Sequence, residues 1–357
     1  MINGARLKQA RESRKETQAS LAEKVGLPQS VISRLEIGTY PISNDDVIRI
    51  ANSLEIPVGF LFRSPVELPE GSLGLFRSHS SKVAKNEYSE ARRLAEIGIE
   101  SILRLAEGVN LPATRIESVP DADPETAAQY ARAMLRLSPD EPIDNLTVAM
   151  ERAGILMLRL SNISESINGF SAWIDPIPKL STSERAIVVT KRPMSAFRLR
   201  FTLGHELGHL ILRHQVFTGP QQPVERDANR FAQALLIPRD AALEDLSATS
   251  LNLERLAELK SKWGVSMHAI AMRAKGLEII SEAGYRSIYE TLRMHGYLKV
   301  EPGDVRTQCE QPRLLAELMH RKGMHESPYE LASEMNHGLE HAKSILGSDT
   351  SDKNIFA

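Results

Sequence analysis

One cysteine, Cys309, occurs in 357 residues. That excludes an internal disulfide and a cysteine-rich metal site, and it fits a reducing compartment. Aromatic residues reach only 5%, which points to aliphatic helical packing rather than an all-β sandwich. No run approaches 18 apolar residues, and the first stretch, MINGARLKQARESRK, has no apolar centre. Neither a membrane span nor a secretory signal is expected, and a cytoplasmic location is. Charge of one sign is missing too: the net charge is −2, so any contact with nucleic acid must use a local patch. What remains is ordinary globular composition, in a chain long enough for two or three domains.

Punctuation along the chain sets expected boundaries. Residues 1–65 read as a set of short helices, and 66–125 as a linker with connecting helices, opened by the Pro- and Gly-bearing stretch FRSPVELPEGSLGLFRSHSS. From about residue 143 three short apolar segments, GILMLRL, FSAWI and RAIVVT, read as strands, followed by helical sequence. A second domain is placed at 126–285 and a helical region at 286–357. The expected fold class is mainly α with a small β-sheet, an α+β arrangement.

Within the first domain, Leu21, Ala22 and Val25 mark a short helix that Gly26 breaks. Pro28 is expected to open a second helix, where its missing N–H costs nothing. That helix should bury Val31, Ile32 and Leu35 and expose Gln29, Ser30, Ser33 and Arg34. Two short helices about a glycine turn, the second bearing small donors and an arginine, suit the DNA major groove. Glutamine can pair with adenine, and arginine with guanine or phosphate. Gln18, Gln29, Ser30, Ser33 and Arg34 are therefore the candidate contacts to a double-stranded operator. Nine basic against seven acidic residues over 1–63 leave only a slight positive excess. TQASLAEKVG, ISRLE and the following Gly38 resemble the Xre/Cro-type helix-turn-helix family, which implies DNA binding and a homodimer on paired half-sites.

The stretch RFTLGHELGHLILRH, residues 200–214, carries the chemistry. Histidines 205 and 209 project from one helix face, one turn apart, so both imidazoles can reach one tetrahedral ion. Glu206 stands further round, placed to take a proton from water rather than to bind the metal. Leu203, Leu207, Leu210 and Ile211 form an apolar stripe, and Gly204 and Gly208 imply a second backbone passing close by. A third ligand is needed. Glu225, on a helix predicted after a reversal, can supply it, with Asn229 one turn on to orient a ligand; Asp227 is the rival.

FTLGHELGHL followed by ERDANRFAQALLIP resembles the ImmA/IrrE family of zinc-dependent peptidases, with NGFSAWI and WGVSMHAIAMRA also similar. The resemblance covers most of residues 1 to about 300. It implies His205, His209 and Glu225 as zinc ligands, with manganese the alternative ion, and Glu206 as the catalytic residue. It also implies an endopeptidase that cleaves a repressor or itself to relieve repression. A different class stays open: a repressor or antitoxin-like regulator without proteolysis, its metal structural or ligand-sensing, or a module binding a cognate toxin.

Weaker signals are read as structural. HGLEH (337–341) matches an inverted zinc motif but reads as a solvated face. His214 reads as structural or as support to a ligand, KRPMSAFRLR as a charged rim, and Cys309 as inert. An extended substrate could add to an edge strand, either RAIVVT or FSAWI.

Overall fold

A computed structural model describes residues 1–68, 84–176, 184–214, 221–247, 251–304 and 307–347. Its first helices are set by local chemistry. Asn3 caps α1 (Gly4–Glu12), Thr17 caps α2 (Gln18–Val25) and Ser43 caps α4 (Asn44–Ser53), each side chain accepting a main-chain N–H of the first turn. Gly26 and Gly38 end α2 and α3 (Gln29–Ile37) in the left-handed conformation that glycine adopts without strain. Pro28 does not open α3 as expected. Its extended backbone makes it the cap, just outside the helix, where its ring leaves no side-chain acceptor.

A 3₁₀ turn, Val58–Phe62, closes this unit. Then comes the long α5 (Lys85–Leu105). Helices α6 (Pro124–Met134) and α7 (Leu146–Arg152) lead to strands β1 (Leu156–Leu160), β2 (Gly169–Ile174) and β3 (Arg185–Lys191). After these run α8 (Ala196–Ile211), α9 (Gln221–Leu236), α10 (Arg239–Ser247), α11 (Leu253–Trp263), α12 (Met267–Gly276) and α13 (Glu282–Met294). Three short helices, α14 (Leu314–Arg321), α15 (Pro328–Met335) and α16 (Leu339–Leu346), complete the described chain. The α+β class holds. Of the punctuated stretch at 62–81, residues 69–81 lie outside the described residues.

The three expected strands form one sheet in the order β1-β3-β2, with β1–β3 parallel and β2–β3 antiparallel. RAIVVT is thus the central strand, and of the two segments considered for an edge only FSAWI is one. Strand periodicity divides the sheet's side chains between two cores. Leu156, Leu158, Phe170, Ala172, Ile187 and Val189 join the core containing α1–α5 and α14–α16. Met157, Trp173, Ala186 and Val188 join the core containing α6–α13.

Helix α5 bridges these regions. One side of it packs on β1, where a Cβ on Gly98 would lie 2.8 Å from Leu158 Cδ1 and push that side chain aside. The side away from Gly98 carries buried charge facing α1. Arg6 Nη2 donates to Glu100 at 2.7 Å, Gln9 Nε2 to Glu96 at 3.0 Å, and Arg93 Nε to Glu12 at 2.7 Å. Buried charges persist only when paired, so these residues fix how the first helices sit on α5.

The expectation of a solvated HGLEH is wrong. His337 and His341 are buried, because α15 and α16 fold back beneath the first domain. His341 Nε2 meets Ser13 Oγ at 2.8 Å, and since that hydroxyl donates to Ala10 O, the imidazole is the donor. The His337 ring packs edge-on to Phe60. Burial, then the cations Arg14 and Arg6, push the His341 pKa down to about 3.

A pH dependence follows. His341 stays neutral in the folded chain, whereas the unfolded chain takes up its proton near pH 6.5. Its contribution is complete above that value and falls as pH drops, by about 2 kcal/mol at pH 5. Thermal melts at pH 7 and pH 5 should show His341→Gln losing less stability on acidification than wild type; equal losses refute the assignment.

Candidate metal centre and DNA-facing helix

Ser195 caps α8 and begins a helix whose apolar side, Leu199, Leu203, Leu207, Leu210 and Ile211, is buried as the stripe implied. β2 runs beside it in a matched step. The position a Cβ would take on Gly169 lies 2.9 Å from Thr202, Ser171 bonds to Glu206, and Trp173 Nε1 donates to Leu210 O at 3.1 Å. Two strand residues advance about 6.6 Å and four helical residues about 6 Å, so alternate β2 side chains address successive turns of α8.

α9 crosses α8 at the two glycines. A Cβ on Gly208 would stand 2.9 Å from Phe231 Cδ1, and one on Gly204 would stand 3.4 Å from Ala232 Cβ. The second backbone implied by those glycines is α9. Its approach carries Glu225 to the histidines, with Oε2 3.3 Å from His205 Nε2 and Oε1 3.6 Å from His209 Nε2. The two imidazole Nε2 atoms are 3.0 Å apart. Among the described residues these three form the single group of His, Cys, Asp or Glu with converging ligand atoms, and Asp227 is not in it.

The opposite ring edges are held. His205 Nδ1 lies 3.1 Å from Asn229 Oδ1, and His209 Nδ1 lies 2.8 Å from His214 Nδ1. With Asn229 Oδ1 as acceptor, His205 carries its proton on Nδ1 and turns the Nε2 lone pair inward. His214 is no longer on the helix, because α8 ends at Ile211 and Arg213 adopts a positive φ of 53°. That turn returns the ring to His209, so helical angle alone misplaces it.

Burial and neighbouring charges shift four titratable groups in this pocket. Burial pushes the Glu206 carboxyl up to about 7. Burial, with His205 and His214 beside it, pushes His209 well below the ordinary histidine value. Burial disfavours the His205 imidazolium, but the bond to Glu225 and the charges of Glu206 and Glu225 outweigh it and raise its pKa. His214 is pushed down to about 4, chiefly by burial. Glu225 Oε1 is buried with no hydrogen-bond partner.

These residues fit a divalent metal. Two ligands at 2.0–2.1 Å in tetrahedral geometry stand about 3.3 Å apart, close to the spacings here, and a buried carboxylate oxygen lacking a donor is what a cation satisfies. Glu206 is outside the triad. Its Oε2 accepts from Ser171 Oγ at 3.0 Å, a contact with no motif to announce it.

Of the candidate operator contacts, Gln29, Ser30 and Arg34 are exposed. Ser33 and Val31 are half-buried rather than exposed and buried, since α3 lies tilted on α1 and α2. Gln29 Nε2 donates to Gln18 Oε1 at 2.8 Å, and Gln18 Nε2 to Glu36 Oε2 at 2.7 Å. Arg11 Nε anchors Glu36 at 2.5 Å, so a chain of bonds orients Gln29 from a buried pair. Arg34 lies over the Tyr40 ring.

The rim reading of KRPMSAFRLR changes too. Lys191 is buried against Glu165, Arg198 donates to Asn168, and Arg200 pairs with Glu310 at 2.6 Å. These cations tie the chain to itself. Cys309 is half-buried, its thiol donating to Met194 O.

Fold and site together define a helix-turn-helix protein with a His-His-Glu centre on two crossed helices. Residues 150–275 match the IrrE N-terminal-like domain, a peptidase family, and residues 7–61 match the helix-turn-helix family. The chain joins an Xre-like helix-turn-helix DNA-binding domain to an IrrE/ImmA-like peptidase-family domain. No curated protein matches it.

Two outcomes are expected. Native mass spectrometry should count one bound metal in wild type and none in His209→Ala, with His214→Ala binding about 10- to 100-fold more weakly. Gly208→Ala should destabilise the protein by about 1–3 kcal/mol through overpacking on Phe231, read by chemical denaturation.

Proposed function

We propose that this protein is a transcriptional regulator whose second domain is a zinc-dependent endopeptidase, with manganese the alternative ion. His205, His209 and Glu225 hold the metal, while Asn229 and His214 fix the two rings. The observation that carries this reading is the convergence of three ligand atoms beside a buried carboxylate that is not one of them. A structural site has no use for such a group.

Bound there, a divalent metal supplies Lewis acidity to a carbonyl and makes water easier to deprotonate. Glu206 accepts the water's proton as oxygen attacks the scissile carbonyl, and returns it to the departing amine. The edge of β2 away from β3, alongside α8, aligns an extended substrate backbone.

The DNA-binding domain reads an operator as a homodimer through Gln18, Gln29, Ser30, Ser33 and Arg34, in the cytoplasm. Holding a peptidase at that operator raises its local concentration near a repressor bound there. Cleavage acts in trans on such a repressor or in cis near residues 64–82.

Glu206→Gln should keep metal and DNA binding and lose at least about 100-fold in cleavage, read by mass spectrometry of a proteome-derived peptide library. Undiminished cleavage by that variant refutes the peptidase reading and leaves a non-proteolytic regulator.

A further inference from the structure

We infer that Ser171 is the positioning residue of the general base, holding the Glu206 carboxylate in one orientation beside the metal ligands. The inference rests on the peptidase reading. The observation is a single hydroxyl set between two acceptors of one residue. Ser171 Oγ lies 2.9 Å from the Glu206 main-chain oxygen and 3.0 Å from its Oε2.

A glutamate side chain has three rotatable bonds and explores many rotamers when free. Here its carboxylate is held by a donor that also reaches the residue's own main-chain oxygen, which confines it. The donor is itself immobile. Ser171 is buried, on the edge strand β2, paired with Val188 of β3. Trp173, two residues on, ties the same strand to the next turn of α8 through Leu210 O. Ser171 is the one hydroxyl among the α8-facing residues of β2, the others being Gly169 and Trp173.

The contact is one-sided, because Ser171 meets Oε2 alone among the carboxylate oxygens. Oε1 is therefore the oxygen that takes the proton. The water O–H bond breaks and the Oε1–H bond forms while the water oxygen bonds to the scissile carbon. As the C–N bond breaks, the same proton passes from Oε1 to the amine nitrogen, and the carboxylate is restored. Ser171 keeps its own proton throughout, shared between Oε2 and the main-chain oxygen of Glu206. It never touches the reacting atoms.

The test uses the full chain with Ser171→Val and Ser171→Thr, two side chains of nearly equal shape, both at home in a strand, of which only one has a hydroxyl. With zinc loaded and one peptide from the library as probe, Ser171→Val should lose about 10- to 100-fold in kcat, the scale set by small misplacement of a reacting group. Its KM and metal count should match wild type, and Ser171→Thr should recover most of the loss. A second reading uses metal-free protein carrying ¹³C-labelled glutamate. The infrared carboxylate band absent from Glu206→Gln should shift in Ser171→Val and stay in place in Ser171→Thr. Wild-type kcat in Ser171→Val with an unmoved band overturns the inference while leaving the peptidase reading intact. A loaded wild type that cleaves no peptide, with the band still shifting, instead overturns the peptidase reading and the catalytic role of Ser171 with it.

Discussion

The contact on which the centre depends is the crossing of α8 and α9 at Gly204 and Gly208. Two glycines one turn apart leave a groove that Phe231 and Ala232 fill. Each glycine costs about 1 kcal/mol of helix propensity relative to alanine. What the helices gain is separation short enough for a carboxylate on one to reach two imidazoles on the other. Longer ligands could bridge a wider gap, but a glutamate cannot. Backbone approach, rather than any ligand alone, sets the distances in the site.

Around that crossing the sheet acts as a partition. One face supports α8, and through β2 it holds Glu206 and the helix carbonyls in register. The other face supports α5, whose opposite side carries the buried Arg6–Glu100 and Gln9–Glu96 contacts to the first helices. The first helices thus reach the sheet through α5, which packs between α1 and β1, while α8 lies on the sheet's other face. Whatever displaces α5 has a path to both.

Much of this was readable in the residues because the signals are local. Thr17, Gly26 and Gly38 announce helix ends through capping chemistry, and His205, Glu206 and His209 announce one helix face through spacing. The close passage of α9 was legible in the glycines, since nothing else explains two of them in an apolar helix. What stayed hidden depends on partners remote in sequence. The partners of Glu96 and Glu100, Gln9 and Arg6, lie 87 and 94 residues away in sequence. His337 and His341 sit among polar neighbours, so no periodicity reveals that they are buried. Ser171 looks like any strand serine, its role set by how β2 lies along α8, and His214 needed the turn at Arg213.

The bond between Ser13 and His341 joins residues 328 positions apart. Chains are made at about 5–20 residues per second, so roughly 16–66 s separate the appearance of its two partners at the ribosome. During that interval the first helices have lost neither their caps nor their core, yet the surface that α15 and α16 will cover stands open. The DNA reader is among the first parts synthesised and among the last to be finished. A ribosome that stalls late therefore releases a reader whose underside is bare, exposing Phe60 and its apolar neighbours to whatever chaperone or protease is near.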